Sequence, residues 1–371
     1  MLDYFTAAKH GVLSTMERVL AGYAAGYANV SIDLGADAAA RLSQFASRGK
    51  LLRGCLVRLG FELARGSAPE GREDEAVRLA GAAMELFQSG LLIHDDIMDR
   101  DRVRRGFPTL HVGYEETLQY GDYDDPVHYG EALGICAGDL AYFAAFGVLS
   151  ELPVGQEKAR QACAIASKEL ALVGIAQMQD VVNGAVRPRS RNTFREASTE
   201  PLEEDILKLY RYKTGRYTFS LPLAMGSAIA GSPESVRLDL EKSGENLGVL
   251  FQLKDDELGL FADEAELGKP VGADIREDKK TLFRLRLFGK AAPGQVSRLK
   301  GIFGAHDASA KDIAYVTELI DSLGIRGELV DMMRDYAVRA REPVAHLISA
   351  APAAAARAFD ELTTYSLERT S

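Results

Sequence analysis

The sequence predicts an all-α protein: one large helical bundle, a single domain over 1–371, enclosing a central apolar cavity. Three observations carry that expectation. Most segments are rich in Ala, Leu, Glu, Arg and Met, with apolar residues recurring at threes and fours, which is the spacing of one helix face. Alternating β-branched runs joined by tight Asn-Gly turns are not evident. The apolar segments are long and their polar joints short, as in a bundle whose helices bury a shared stripe. A chain of 371 residues with a 47% hydrophobic fraction is long for one domain, but a large bundle accommodates it.

Taken in order, the periodicity predicts helices over 2–28, 35–46, 51–64, 73–97, 130–149, 155–182, 203–212, 214–226, 233–255, 279–289, 293–301, 308–322, 325–347 and 351–362. The start at Pro233 is well marked. Ser232 can cap it, and a proline at the first helical position loses no hydrogen bond. Two stretches read as surface insertions because they are polar, aperiodic and broken by Pro or Gly. One is 114–129, containing Gly121-Asp122-Tyr123-Asp124-Asp125-Pro126; the other is 184–201, containing Arg187-Pro188-Arg189-Ser190-Arg191. Arg187, Arg189, Arg191 and Arg195 fit either a solvated loop or an anion site.

Charge and composition exclude several classes. A net charge of −10 argues against nucleic acid as the main partner. No uninterrupted apolar stretch approaches the roughly 20 residues that span a bilayer, so no transmembrane segment is expected. Residues 1–20 carry acids and lack a basic start followed by an apolar core, unlike a signal peptide. Cys55, Cys136 and Cys163 are an odd set without metal-site spacing, and read as buried thiols in a reducing cytoplasm.

The chemistry concentrates where an apolar helix meets acids. Leu91-Leu92-Ile93-His94 runs into Asp95-Asp96-Ile97-Met98-Asp99, followed by Arg104-Arg105. In a helix Asp95 and Asp99 share one face, a turn apart, with Asp96 beside them. Carboxylates so close repel unless a cation lies between them. Hard oxygen ligands suit Mg²⁺, which takes its remaining ligands from phosphate and water. A solvated acidic helix end is the bland alternative. A second Asp-Asp pair, Asp255-Asp256, ends another apolar run (Leu247, Val249, Leu250, Phe251), so facing helices could bring both acid sets to one cavity mouth against a diphosphate. Cations recur at intervals along the chain. Lys50 and Arg53 lie near a helix start, where backbone N–H groups also favour anions. Lys213 adjoins Thr214, and 268–281 carries Lys269, Lys279 and Lys280. Each lysine alone reads equally as a solvated charge.

These residues give the chain a family resemblance: from about 49 to 281 it is similar to trans-isoprenyl diphosphate synthases, the polyprenyl synthetase family. The string Asp95-Asp96-x-x-Asp99 followed by Arg104-Arg105-Gly106-Phe107-Pro108-Thr109-Leu110-His111 carries it. So does its order relative to Gly49-Lys50-x-x-Arg53, Lys213-Thr214, Phe251-Gln252-x-x-Asp255-Asp256 and Gly268-Lys269-x-x-Gly272-x-Asp274. The resemblance implies the isoprenoid synthase fold, a homodimer, and condensation of isopentenyl diphosphate with an allylic diphosphate (dimethylallyl, geranyl or farnesyl). It implies Mg²⁺, up to three ions, with Mn²⁺ as a substitute. Asp95, Asp96, Asp99, Asp255 and Asp256 are then the metal ligands. Arg104, Lys213 and Lys269 contact the allylic diphosphate. Lys50, Arg53, Gln88 and Arg105 form the isopentenyl diphosphate pocket, and Thr214, Gln177 and Gln252 lie near the reacting carbons. Asp180 and Lys279 complete the substrate site. His94 and His111 read as structural neighbours of the acids.

The chain also departs from the pattern. Gly259 stands where the second motif usually has a third acid, Gly49 is the one glycine kept before Lys50, and Ala176 precedes Gln177 where Gly is usual. Product length in the family is limited by bulky residues beneath the first acids. Gly90 and Leu91 leave that depth open, disfavouring a C15 product, and Phe87, about 12 Å down the helix, could be the floor for a C20 chain. Geranylgeranyl diphosphate is therefore the expected product. A C25 or longer product, a class I terpene synthase and a silent partner subunit are the alternatives. The Asp255-Asp256 pair speaks against the terpene synthase.

Overall fold

The protein is described here by a computed structural model covering residues 3–117, 125–185, 201–262 and 272–370. As expected, it is helical: α1 (Asp3–Ala28), α2 (Ile32–Ser47), α3 (Leu52–Arg65), α4 (Arg72–Met98), α5 (Leu110–Thr117), α6 (Pro126–Ser150), α7 (Gln156–Ala185), α8 (Glu203–Leu209), α9 (Leu221–Ala230) and α10 (Glu234–Phe261). A π-helix over Tyr210–Ser220 joins α8 to α9. The helices Ala273–Arg276, Leu282–Lys290, Pro293–Ile302, Ala310–Ser322, Ile325–Arg341, Ala345–Ala350 and Ala353–Glu368 follow. Caps fix several starts. Asp125 accepts from the His128 N–H at 3.0 Å, with Pro126 at the first position of α6. Ser309 and Asp312 cap one another's backbone at the start of Ala310–Ser322.

The chain divides into two compact units. The first comprises Met1–Ala166, Pro222–Leu238 and Leu347–Ala358. Within it α4 is packed by α1, α3 and α6. Met84, Leu86 and Phe87 of α4 are fully buried, each contributing roughly 1.5–3 kcal/mol of transfer free energy. Small residues bring α6 close: a Cβ on Gly90 would stand 2.7 Å from the Tyr142 ring. The second unit comprises Ser167–Leu221, Asp239–His346 and Phe359–Ser371. Its core gathers Val249, Leu250 and Leu253 of α10 with Tyr210, Phe283, Val316 and Met333. Here α10 crosses the π-helix at backbone contact, because a Cβ on Gly248 would lie 1.9 Å from Gly215 Cα.

Several expectations are corrected. No break occurs at Lys213; the helix continues through it as wider π turns, a form that periodicity at 3.6 does not anticipate. Residues 114–117 belong to α5 and 126–129 open α6, so the first expected insertion shrinks to 118–124; the second shrinks to 186–200. Both remnants, with Arg187, Arg189, Arg191 and Arg195, lie outside the described residues. The Pro233 carbonyl accepts from the Val236 and Arg237 N–H groups, so Pro233 rather than Ser232 is the cap of α10. The helix expected over 325–347 turns after Arg341, and a short hairpin appears at 103–108. Cys136 is exposed and Cys163 half-buried, leaving Cys55 as the buried thiol. By length and composition alone α4 and α6 are each long and apolar enough to cross a membrane, a criterion that buried core helices also meet. The apolar window of α4 is 72% buried, as in a core helix, against 44% for α6.

Candidate active site

In the first unit the acids stand at the end of α4, where the helix dipole is already negative, so the local field demands a cation. Asp95 and Asp96 occupy the last turn, and Asp99 follows as its cap, donating its N–H to the Asp95 carbonyl at 2.8 Å. Asp96 has no side-chain exposure. Burial, opposed by Arg104, pushes its carboxyl up to about 6. Its Oδ1 accepts from Arg104, while its Oδ2 is buried without a hydrogen-bond partner. Arg104 Nη2 also lies 3.6 Å from Asp95 and 3.8 Å from Asp101.

The hairpin explains how two adjacent arginines serve different places. Val103 pairs with Pro108 and Arg104 with Phe107, around a two-residue turn in which Arg105 (φ 55°) and Gly106 (φ 77°) are both left-handed. That is the type I′ signature, with Arg-Gly where Asn-Gly is usual. Arg104 points to the acids. Arg105 instead lies against Gly49, where an added Cβ would meet its Nη1 at 2.9 Å. Burial and then Arg104 pull the Arg105 guanidinium below its usual range, while Glu85 opposes them.

Glu85, which the sequence reading missed, anchors this basic corner. It is buried and accepts from the Gly54 N–H at 2.7 Å, fixing the start of α3 that carries Arg53. Burial raises its pKa; the Gly54 N–H, Arg53 and Arg105 oppose that shift. Lys9 buttresses the loop from the other side, donating to the Gly49 carbonyl at 2.9 Å. Lys50 is exposed in the joint before α3, and Gln88 sits three residues past Glu85 on α4, partly exposed. Cations massed around a glycine loop are unfavourable alone and suit an anion such as diphosphate. Deeper along α4, Phe87 packs edge-on to Phe146 with ring centres 4.9 Å apart, and Leu91 is half-buried. His94 Nε2 sits 3.1 Å from the Ile135 carbonyl, and His111 is buried.

The second unit holds the other candidates. Thr214 donates to Gln252 Oε1 at 2.8 Å, and Gln252 Nε2 donates to Asp256 Oδ1 at 2.9 Å. Tyr210, also missed in the sequence, donates to Asp256 Oδ2 and accepts from the Leu282 N–H at 3.1 Å. Burial and then Asp274 push the Asp256 carboxyl up, against the Tyr210 and Gln252 hydrogen bonds. Lys213 pairs with Asp180 of α7, whose Gln177 is partly exposed. The π turns holding Lys213 are pinned by Arg216, which grips Glu169 with two hydrogen bonds of 2.7 and 2.6 Å and also pairs with Glu245. Lys279 lies 3.4 Å from Asp274. Asp255 pairs with Arg369, a residue the sequence reading did not consider. Lys269 lies outside the described residues.

The missing acid at position 259 has a spatial answer. A Cβ on Gly259 would lie 3.3 Å from Asp274 Oδ2. A carboxylate from the following segment therefore fills the space beside Gly259. Among the described residues no three His, Cys, Asp or Glu side chains converge into a cage that would hold an ion on protein ligands alone.

A helical chain carrying these acid and base clusters belongs to the polyprenyl synthetase family, whose model, described as "Polyprenyl synthetase", matches residues 38–320. It is 33% identical over 279 residues to a geranylgeranyl diphosphate synthase of Sulfolobus acidocaldarius, covering 74% of each chain. It is 30% identical over 333 residues to a geranylfarnesyl diphosphate synthase of Aeropyrum pernix, covering 89% of this chain and 93% of the relative. A solved geranylgeranyl pyrophosphate synthase from Corynebacterium glutamicum, complexed with isoprenyl diphosphate and magnesium, superposes with a TM-score of 0.83 at 29% identity, covering 100% and 99% of the two chains. The protein is a trans-prenyltransferase of the isoprenyl diphosphate synthase type.

Proposed function

We propose that this enzyme joins isopentenyl diphosphate to an allylic diphosphate with Mg²⁺, Mn²⁺ substituting, and that its product is geranylgeranyl diphosphate. The observation that carries the metal reading is the buried, unpartnered Oδ2 of Asp96 beside Asp95. Mg²⁺ uses few protein carboxylates and completes its shell with phosphate and water, which suits acid sets that form no protein-only cage among the described residues. Asp95, Asp96, Asp99, Asp255 and Asp256 are the proposed ligands of up to three ions, with Asp274 serving where Gly259 has no carboxylate. Bound metal would neutralise the departing diphosphate and so ease its ionisation.

The chain's own groups supply the remaining chemistry. Arg104, Lys213 and Lys269 hold the leaving diphosphate, with Lys279 and Asp180 setting the charge around Lys213. Lys50, Arg53, Arg105 and Gln88 hold isopentenyl diphosphate on the Glu85-anchored corner. The Thr214 hydroxyl, Gln177 and the Gln252 carbonyl face developing positive carbon with oxygen dipoles. Loss of the allylic diphosphate leaves an allylic cation, the isopentenyl double bond attacks it, and a proton passes to the released diphosphate.

Two names among the relatives frame product length. The Sulfolobus relative supports C20, whereas the Aeropyrum relative, matched over more of the chain, favours a C25 reading. Phe87 backed by Phe146 supports a floor at C20 depth. We further propose a cytoplasmic homodimer, a single folding domain and no nucleic-acid partner. The apolar Ile135 and Phe143, exposed on α6 at 47% and 71%, support pairing with a second copy. The test is incubation of the purified enzyme with Mg²⁺, isopentenyl diphosphate and farnesyl diphosphate, with products weighed by mass spectrometry. C20 is expected, C25 would install the second reading, and no diphosphate release would refute both.

A further inference from the structure

Arg369 follows the helix Ala353–Glu368 and is folded back onto α10. Its side chain is 7% exposed, stacked with its guanidinium carbon 3.7 Å from the centre of the Phe251 ring. Nη2 donates to the Phe251 carbonyl at 3.1 Å and to Asp255 Oδ1. Nε is buried without a partner, so the seat satisfies the guanidinium only in part. Among the described residues Asp255 is the carboxylate that neutralises it. A cation already occupies one of the acids proposed for metal.

We propose that Arg369 is an exchangeable counter-cation of the second acid site, coupling metal entry at Asp255 to arrival of a diphosphate. The inference rests on the reading of Asp255 as a metal ligand. A metal ion taking Asp255 alone would leave a buried guanidinium without its countercharge, which is strongly unfavourable. A metal ion arriving with a diphosphate brings phosphate oxygens that can take over the guanidinium, since Arg binds carboxylate and phosphate with the same fork. Anchorage on the Phe251 ring and carbonyl keeps Arg369 beside the site during that exchange, so no large movement is needed. The substrate-free enzyme therefore binds metal weakly at Asp255, and metal and diphosphate load together.

The test reads metal binding directly. Mn²⁺ is titrated into the full-length, substrate-free protein and free Mn²⁺ is followed by electron paramagnetic resonance, with and without inorganic diphosphate. Five proteins are compared: wild type, Arg369→Gln, Arg369→Lys, Asp255→Asn and the double variant Arg369→Gln with Asp255→Asn. Arg369→Gln is expected to bind Mn²⁺ alone roughly tenfold more tightly, about 1.4 kcal/mol, and to gain less from diphosphate than wild type does. That gain in affinity should vanish in the Asp255→Asn background. Arg369→Lys keeps the charge but loses the fork and stacking, so it should fall between wild type and Arg369→Gln, and it serves if the glutamine variant folds poorly. Unchanged Mn²⁺ affinity in both Arg369 variants, or an equal gain in the Asp255→Asn background, overturns the proposal. If Asp255→Asn binds Mn²⁺ as wild type does, with and without diphosphate, the metal reading of Asp255 fails first and takes this inference with it.

Discussion

Replacing Asp96 by asparagine should make the metal-free protein more stable at neutral pH while nearly abolishing turnover. Asp96 is fully buried, and its carboxyl is pushed up from 3.8 to about 6, burial outweighing Arg104. A carboxyl whose folded pKa is raised holds its proton more tightly in the folded state. Its contribution to stability is therefore full below about pH 4 and is lost as pH rises through about 6. Above that range the folded protein carries a buried carboxylate, at a cost of roughly 3 kcal/mol relative to the protonated form. Asparagine has nearly the same shape and no charge, so it removes that cost. Arg104 loses one partner but keeps Asp95 at 3.6 Å and Asp101 at 3.8 Å. The net gain expected at pH 7.5 is about 1–2 kcal/mol, a melting rise of a few degrees. The assay is thermal unfolding in chelator from pH 4 to pH 7.5, beside turnover with Mg²⁺, where a loss of roughly 10³-fold is expected. A variant that melts below wild type at pH 7.5, or a difference that does not grow with pH, would refute the reasoning.

Three other substitutions follow from the packing. Phe143→Glu, on the exposed face of α6, tests the proposed homodimer: a monomer by sedimentation with an unchanged helical signal is expected, since Phe143 is 71% exposed in the single chain. Phe87→Ala removes a fully buried ring stacked edge-on to Phe146, so the urea midpoint should fall by an amount worth about 3–5 kcal/mol, and the product should lengthen beyond C20 if Phe87 is the floor. Gly248→Ala drives a methyl to within 1.9 Å of Gly215 Cα and must push the π-helix away. A loss of about 3 kcal/mol is expected, with kcat falling more than KM for isopentenyl diphosphate because Lys213 and Thr214 move while the Glu85-anchored corner does not.

The fold class and the order of acids and cations were legible in the sequence because they rest on short-range periodicity and on motifs read along one chain. The elements that aim those residues were not. The hairpin at Arg105-Gly106 hides its turn behind an arginine, and its two-residue strands are too short to alternate. The π-helix depends on Gly215 meeting Gly248 and on Arg216 reaching Glu169, contacts between residues far apart in sequence. Glu85 looks like any helix glutamate until burial and the Gly54 N–H define it. The partners of the second acid pair, Tyr210, Asp274 and Arg369, come from three separate stretches. Gly259 reads along the chain as a lost acid, but in space Asp274 lies beside it.

The two acid sets share one electrostatic solution. In the first unit Arg104 lies on Asp96, and in the second Arg369 lies on Asp255, each guanidinium itself largely buried at 17% and 7% exposure. Clustered carboxylates would otherwise repel one another, and at the end of α4 the helix dipole as well. A resident guanidinium lets the chain fold around these acids, which on the proposed reading metal and diphosphate would satisfy further. It also fits the lack of a protein-only cage among the described residues. With part of the acid charge already met by arginine, the carboxylates alone would hold an ion weakly on the proposed reading, and the substrate's own oxygens would complete its shell. On the proposed reading, metal affinity would then be set by whether a diphosphate is present.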